Sequence, residues 1–257
     1  MNLFFDTQLA DDYTSQSQKI RVLTENWVDS QIFCPNCGHL DIDKYENYRP
    51  VADFFCSNCN EDYELKSKKD TIGNKLVDGA YRTMIERLQD SNNPNFFLLN
   101  YDLKCLEVLN FLVIPKYFFV PDIIEKRKAL SQTARRAGWV GCNILLQSIP
   151  QTGKIFFVKD RQIKPKEKVI KEWQKTLFLQ EEKEISAKGW LLDIMLCIEK
   201  IGHKEFSLDE IYVFENDLSK KYLDNHHIKD KIRQQLQVLR DKGYLEFTSR
   251  GNYRLKL

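Results

Sequence analysis

Two cysteine pairs constrain this chain more than any other feature. Cys34-Pro35-Asn36-Cys37 and Cys56-Ser57-Asn58-Cys59 are C-x2-C knuckles with 18 residues between them. Zinc prefers four soft or borderline ligands in a tetrahedron, and two such knuckles supply four thiolates. The spacing falls in the zinc-ribbon range. With cysteine at all four places no coordination site stays open, so the expected zinc is structural rather than catalytic. Gly38, just after the first knuckle, is expected in a tight turn with positive φ. Cys105, Cys142 and Cys197 stand alone in the sequence and read as small buried hydrophobes.

A second pattern is interleaved with the first. Pro50-Val51-Ala52-Asp53 precedes the second knuckle, and Glu64-Leu65-Lys66 follows it. Phosphodiester hydrolysis needs a hard cation that neutralises the phosphate and activates a water. Magnesium prefers oxygen ligands. Asp53, Glu64 and the Leu65 main-chain carbonyl can provide them. Period-two alternation puts Glu64 and Lys66 on one face of a strand and Leu65 on the other. Lys66 would then position or deprotonate the water, or stabilise developing charge. An isolated E-x-K triplet is commonplace. Here Asp53 sits in an apolar context, Val51-Ala52-Asp53-Phe54-Phe55, and a hairpin closed by the zinc knuckle would bring it to Glu64. The expected catalytic set is Asp53, Glu64 and Lys66.

The rest of the first 183 residues reads as mixed α/β. Residues 15–33 carry Ile20, Leu23 and Trp27 at helical spacing. Glu25 on that helix is a candidate extra acid, with a solvated surface role as the favoured reading. Asp78 to Gln89 reads as a second helix. Phe96–Leu99, Phe111–Ile114 and Ile155–Val158 read as buried strands, giving a mixed sheet covered by helices. Arg135, Arg136 and Trp139 are the candidates for DNA contact in this part of the chain. No 18-residue apolar run or secretory leader is evident, and reduced thiolate pairs fit the cytoplasm.

A domain boundary is expected near residue 183. Beyond it come three helix patterns, at about Trp190–Ile201, from Ser207, and at about His227–Asp241. The second opens on Ser207-Leu208-Asp209-Glu210, a capping box. The third has Ile228, Ile232, Leu236 and Leu239 as an apolar stripe. Tyr244–Phe247 and Tyr253–Leu255 then flank a Gly-containing loop, as a wing would. Helix, helix, helix and hairpin over 184–257 make a winged helix-turn-helix. The net charge of +2 hides an asymmetry. Residues 184–219 hold three basic and eight acidic side chains, while 220–257 hold ten basic and four acidic. The basic half contains the third helix and the wing, the elements that would face phosphates. Lys229, Lys231, Arg233, Gln234, Gln237 and Arg250 are its candidate DNA contacts, because Gln can pair with adenine and Arg with guanine in the major groove. His226 and His227 read as surface residues at the helix start.

Several longer strings resemble one family closely: Arg49-Pro50-Val51-Ala52-Asp53-Phe54, Glu64-Leu65-Lys66-Ser67-Lys68-Lys69, Asp78-Gly79-Ala80-Tyr81, Ala134-Arg135-Arg136-Ala137-Gly138-Trp139 and Ile228-Lys229-Asp230-Lys231-Ile232-Arg233-Gln234-Gln235-Leu236. With the two knuckles, they resemble the DpnI-like, methyl-directed (type IIM) restriction endonucleases of the PD-(D/E)xK superfamily. The likeness spans essentially the whole chain. Val51-Ala52 separates Pro50 from Asp53, where the superfamily pattern has them adjacent. The resemblance implies a zinc-bearing nuclease domain, a C-terminal winged helix, and cleavage of double-stranded GATC carrying N6-methyladenine.

The sequence thus predicts an α/β PD-(D/E)xK nuclease core with inserted four-cysteine zinc knuckles over residues 1–183 and a winged helix over 184–257. Structural Zn2+, catalytic Mg2+, methylated duplex DNA as partner and a monomeric state complete the expectation. The competing reading is a non-enzymatic zinc-ribbon and winged-helix DNA-binding regulator. It leaves the convergence of Asp53, Glu64 and Lys66 unexplained. A nuclease of other specificity is a third reading.

Overall fold

The computed structural model describes residues 1–46, 52–89 and 93–256. Pro50 and Val51 of the Pro–Asp motif lie outside the described residues. The chain divides into two compact units, residues 1–147 with 152–177, and residues 148–151 with 178–257.

In the first unit the elements are α1 (Gln16–Gln31), β1 (Asp43–Lys44), β2 (Phe54–Phe55), β3 (Asp62–Lys69), β4 (Lys75–Ala80), α2 (Tyr81–Gln89), β5 (Asn95–Asp102), β6 (Glu107–Ile114), β7 (Ile124–Lys126), β8 (Gly141–Leu145), β9 (Ile155–Lys159), β10 (Gln162–Ile163) and α3 (Lys166–Gln174). Among the described residues, β1-β2-β3-β5-β6-β9-β10 form one sheet and β4-β8-β7 a second. β3 and β5 run parallel, and every other pairing in the large sheet is antiparallel.

Alternation sorts the large sheet's two faces. Tyr63, Phe97, Leu99, Phe111 and Phe157 belong to one core with Leu23, Trp27 and Val28 of α1 and Val169 and Trp173 of α3. Leu65 packs on that core too. Glu64 and Lys66 stand one residue either side of it, in register with Phe96 and Leu98, and so project from the opposite face. β5 is buried from Asn95 through Tyr101, as expected of a strand with both faces covered.

One helix expectation needs correction. Asp78 to Ala80 end β4 rather than begin a helix, and α2 starts only at Tyr81. Pairing with β8 competes successfully there, helped by Gly79, whose helix propensity is poor. Two smaller expectations also fail. Glu25 is buried at 6% exposure, and Cys105 is exposed, whereas Cys142 and Cys197 are buried.

The second unit contains α4 (Phe178–Glu181), α5 (Ile185–Ile201), β11 (Glu205–Ser207), α6 (Leu208–Tyr212), α7 (Glu215–Lys221), α8 (Ile228–Asp241), β12 (Leu245–Ser249) and β13 (Asn252–Leu255). The capping box forms in both directions, between Ser207 and Glu210. The second helix pattern breaks at Val213-Phe214 into α6 and α7. The short strand β11 has no counterpart in the sequence reading. It pairs with β13, which pairs with the β12 wing strand. Ile228, Ile232, Leu236 and Leu239 are all buried, so the stripe on α8 faces the unit's core. Among the described residues no helix is long and apolar enough to cross a membrane.

Candidate active site and nucleic-acid interface

The β2–β3 hairpin carries both sequence patterns. Its strands pair Phe54 with Tyr63 and Phe55 with Asp62, and its loop holds Cys56 and Cys59. Asn60, at φ 58°, closes that loop with a hydrogen bond to the Cys56 carbonyl. The other knuckle turns at Gly38, φ 76°, whose N–H donates to the Cys34 carbonyl. The four sulfurs lie within 4.8 Å of one another. Cys34 Sγ is 3.5 Å from Cys59 Sγ, and Cys37 Sγ is 3.6 Å from Cys56 Sγ. A zinc tetrathiolate with bonds of about 2.3 Å has edges of about 3.8 Å, while a disulfide needs about 2.0 Å. The cluster therefore fits a metal such as zinc and does not fit two disulfides.

Three contacts tie that cluster to β3 and the core. The Tyr63 hydroxyl lies 3.2 Å from Cys34 Sγ, and its ring stacks on Phe97 at 4.4 Å. Trp173 of α3 donates to the Asn36 side chain at 3.0 Å. Burial alone would raise the Cys37 thiol, but hydrogen bonds from the Asn58 side chain and the His39 backbone outweigh it. Its pKa falls to about 6, whereas burial raises the Cys34 and Cys59 thiols, which a cation would have to hold as thiolates.

Next to the hairpin, Asp53 accepts a 2.7 Å hydrogen bond from the Leu65 N–H. Its own N–H donates to the Tyr63 carbonyl. Asp53 is thus tied to the residues on either side of Glu64, by its carboxylate to Leu65 and by its backbone to Tyr63. Burial pushes the Asp53 carboxyl above its ordinary range. The Leu65 N–H pulls it back, while the negative charges of Glu64 and Glu25 push it up again. A carboxylate crowded by other carboxylates in a half-buried site fits a divalent cation, whose charge relieves that repulsion.

Lys66 Nζ lies 2.5 Å from Glu64 Oε1 and 2.6 Å from Asp78 Oδ1. Burial opposes its charge, but those two carboxylates outweigh burial and hold it above the usual lysine value. The other oxygen of Glu64 accepts from Arg87 Nη2 of α2 at 2.8 Å. Glu25 sits between Arg21 at 2.5 Å and Lys44 at 2.7 Å. Asp53, Glu64 and Lys66 are therefore brought together. Asp78, Arg87 and Glu25 join them from other elements. Among these, Asp78 belongs to a string that stands out in the sequence, Glu25 reads there as a candidate extra acid, and Arg87 gives no signal.

The DNA-contact candidates fall in two places. In the first unit, residues 126–139 form the excursion between β7 and β8. It holds Lys126, Arg127, Lys128, Arg135 and Arg136 and no acidic residue. Its root continues the strand pairing, through Leu130 N–H to Trp139 O and Arg127 N–H to Gly141 O. Arg136 lies over the Trp139 ring, 4.6 Å from its centroid. The half-buried indole rests on Gly141, where a Cβ would come within 2.7 Å of the ring. Any larger residue at position 141 would displace Trp139. Arg135 is exposed.

In the second unit, Lys229, Arg233, Gln234 and Gln237 are exposed along α8, and Lys231 is half-buried. Lys231 donates to Gln234 at 2.9 Å, Arg233 pairs with Asp230, and Lys229 lies over the Tyr212 ring at 5.3 Å. Arg250 is exposed at the tip of the β12–β13 wing. The candidates thus occupy two separate basic surfaces, one in each unit.

Two family models match the chain. One, described as DpnI, Dam-replacing family, matches residues 1–182. The other, described as the Dam-replacing HTH domain, matches residues 186–255.

Proposed function

The chain belongs to the DpnI, or Dam-replacing, family and is a nuclease with a C-terminal DNA-binding winged helix; on that premise we propose that it cleaves duplex GATC sites carrying N6-methyladenine by magnesium-dependent hydrolysis. The observation that carries the reading is the meeting of Asp53, Glu64 and Lys66 on one strand face and its neighbouring hairpin. The regulator reading gives no reason for this convergence.

Asp53, Glu64 and the Leu65 carbonyl would hold magnesium, which supplies charge neutralisation at the phosphate and a water made more acidic. The Leu65 N–H fixes the rotamer of Asp53. Arg87 steadies Glu64 from α2. Lys66, kept charged by two carboxylates, contributes a positive charge beside the phosphate and a donor that orients the attacking water. That role is favoured over proton abstraction, which needs a neutral amine. Zinc on Cys34, Cys37, Cys56 and Cys59 would be structural, clamping the hairpin that aims Asp53.

Selection of methylated DNA is assigned to both units. The Arg135–Trp139 segment presents cations with an aromatic ring, and α8 with Arg250 presents a basic reading surface. Incubating the protein and Mg2+ with plasmid from adenine-methylating and non-methylating hosts tests the reading. Cutting confined to the methylated plasmid is expected. Equal cutting of both would overturn the specificity, and cutting of neither would overturn the enzyme assignment.

A further inference from the structure

We infer that Asp78 is a positioning residue for Lys66, and that it becomes the lysine's principal anchor when Glu64 turns to a metal. The inference rests on the nuclease reading of Asp53, Glu64 and Lys66. Asp78 comes from β4, in the second sheet, and not from the strand that carries the E-x-K triplet. Its carboxylate is 6% exposed and lies 2.6 Å from Lys66 Nζ. Among the described residues, Lys66 is the one hydrogen-bond partner of that carboxylate.

The backbone is shaped for that contact. The β4–β8 pairing shifts register between Asp78 and Ala80, so Gly79 makes a bulge. Bulges turn adjacent side chains away from the direction that regular alternation would give them. Nothing lies within 4 Å of a Cβ built on Gly79, so packing at that position does not require glycine. The bulge's consequence is the aim of its neighbour.

The need for a second anchor follows from the chemistry of Glu64. In this structure Lys66 is shared between Glu64 at 2.5 Å and Asp78 at 2.6 Å. A metal drawing on the Glu64 carboxylate withdraws negative charge from the ammonium. Lysine carries its ammonium on a flexible four-carbon stem, and without a fixed partner that ammonium samples many positions. Asp78 keeps it beside the reacting phosphate. Misplacing a catalytic group by about 1 Å can cost about 100-fold in rate.

The test compares Asp78→Asn and Asp78→Glu with the wild type and with Lys66→Ala on a methylated duplex. The single-turnover rate at saturating DNA should fall about 10- to 100-fold in Asp78→Asn, with part of it regained in Asp78→Glu. Duplex affinity in Ca2+ should stay within about twofold, because DNA binding belongs to other surfaces. In the Lys66→Ala background Asp78→Asn should cost nothing further, since it acts through that lysine. A readout without magnesium comes from melting the zinc-bound protein in magnesium-free buffer. There the Asp78→Asn and Lys66→Ala shifts should be non-additive. A wild-type rate in Asp78→Asn, or an equal loss with and without Lys66, would overturn the inference. If Asp53→Ala is inactive while Asp78→Asn cuts at full speed, only this inference fails. If Asp53→Ala cuts normally, the nuclease assignment fails and takes Asp78 with it.

Discussion

Asp53 is the residue on which most of the chemistry converges. Its carboxyl is raised by burial and by the charges of Glu64 and Glu25. A carboxyl whose pKa is raised on folding binds its proton more tightly in the native state. Its contribution to stability is present at low pH and is lost as pH climbs from the unfolded value through the folded one. At neutral pH the metal-free protein therefore carries a destabilising charge. Asp53→Asn keeps an acceptor for the Leu65 N–H and removes that charge. It should abolish cleavage and raise the melting temperature of the nuclease unit, with zinc bound and magnesium absent, by about 2–4 °C, measured by calorimetry. Trp139 is the corresponding residue on the proposed recognition side. Trp139→Ala should leave cleavage chemistry intact and weaken discrimination between methylated and unmethylated duplexes in competition binding. One buried methyl is worth only about 0.8 kcal/mol, roughly fourfold in affinity, so the loss at a single contact should be of that size.

The hairpin β2–β3 is the element that, in the proposed function, joins the four-cysteine metal cluster to catalysis. Its closing loop carries Cys56 and Cys59, and its inner strand β3 contains Glu64. Removing zinc with a chelator should abolish cleavage through lost folding, and excess Mg2+ should not restore it. Protease cutting within residues 52–62 and loss of near-ultraviolet dichroism from Tyr63 would report the change. Retained cleavage without zinc would contradict the clamp. In the second unit, the capping box that starts α6 gives a local counterpart. Ser207→Ala removes a cap from Glu210 N–H and should cost about 1 kcal/mol in denaturant unfolding of that unit. These elements are legible in the sequence because their signals are local. The knuckle spacing, the period-two placement of Glu64 and Lys66, the capping box and the α8 stripe are each contained within a few turns of chain. Asp78 reads as helical in the sequence because Gly79 hides a bulge that only pairing with β8 reveals. Glu25 reads as solvated because its burial depends on Lys44, on a different element, and Arg87 leaves no signal at all.

At the scale of the whole molecule, one modest recognition contact cannot provide high selectivity, and the proposed function therefore divides the work between two basic surfaces. Contacts to phosphate should show as salt dependence. Replacing Lys229 or Arg250 with Ala should each weaken binding to all duplexes and reduce the slope of log affinity against log salt by about 0.9. An unchanged slope would remove that residue from the interface. The near-neutral total charge gives no hint of such surfaces. They become visible only when charge is followed along the chain, and residues 126–139 only when β7 and β8 bring their cations into one excursion. Everything else depends on the clamped hairpin and its triplet cutting DNA. The most direct measurement is single-turnover cleavage of a methylated GATC duplex in Mg2+ by the wild type and by Asp53→Ala, Glu64→Ala and Lys66→Ala, with duplex affinity measured alongside. Rates at least about 1,000-fold lower in each variant, with affinity nearly unchanged, are expected. Wild-type cleavage by Asp53→Ala would contradict that role for the hairpin.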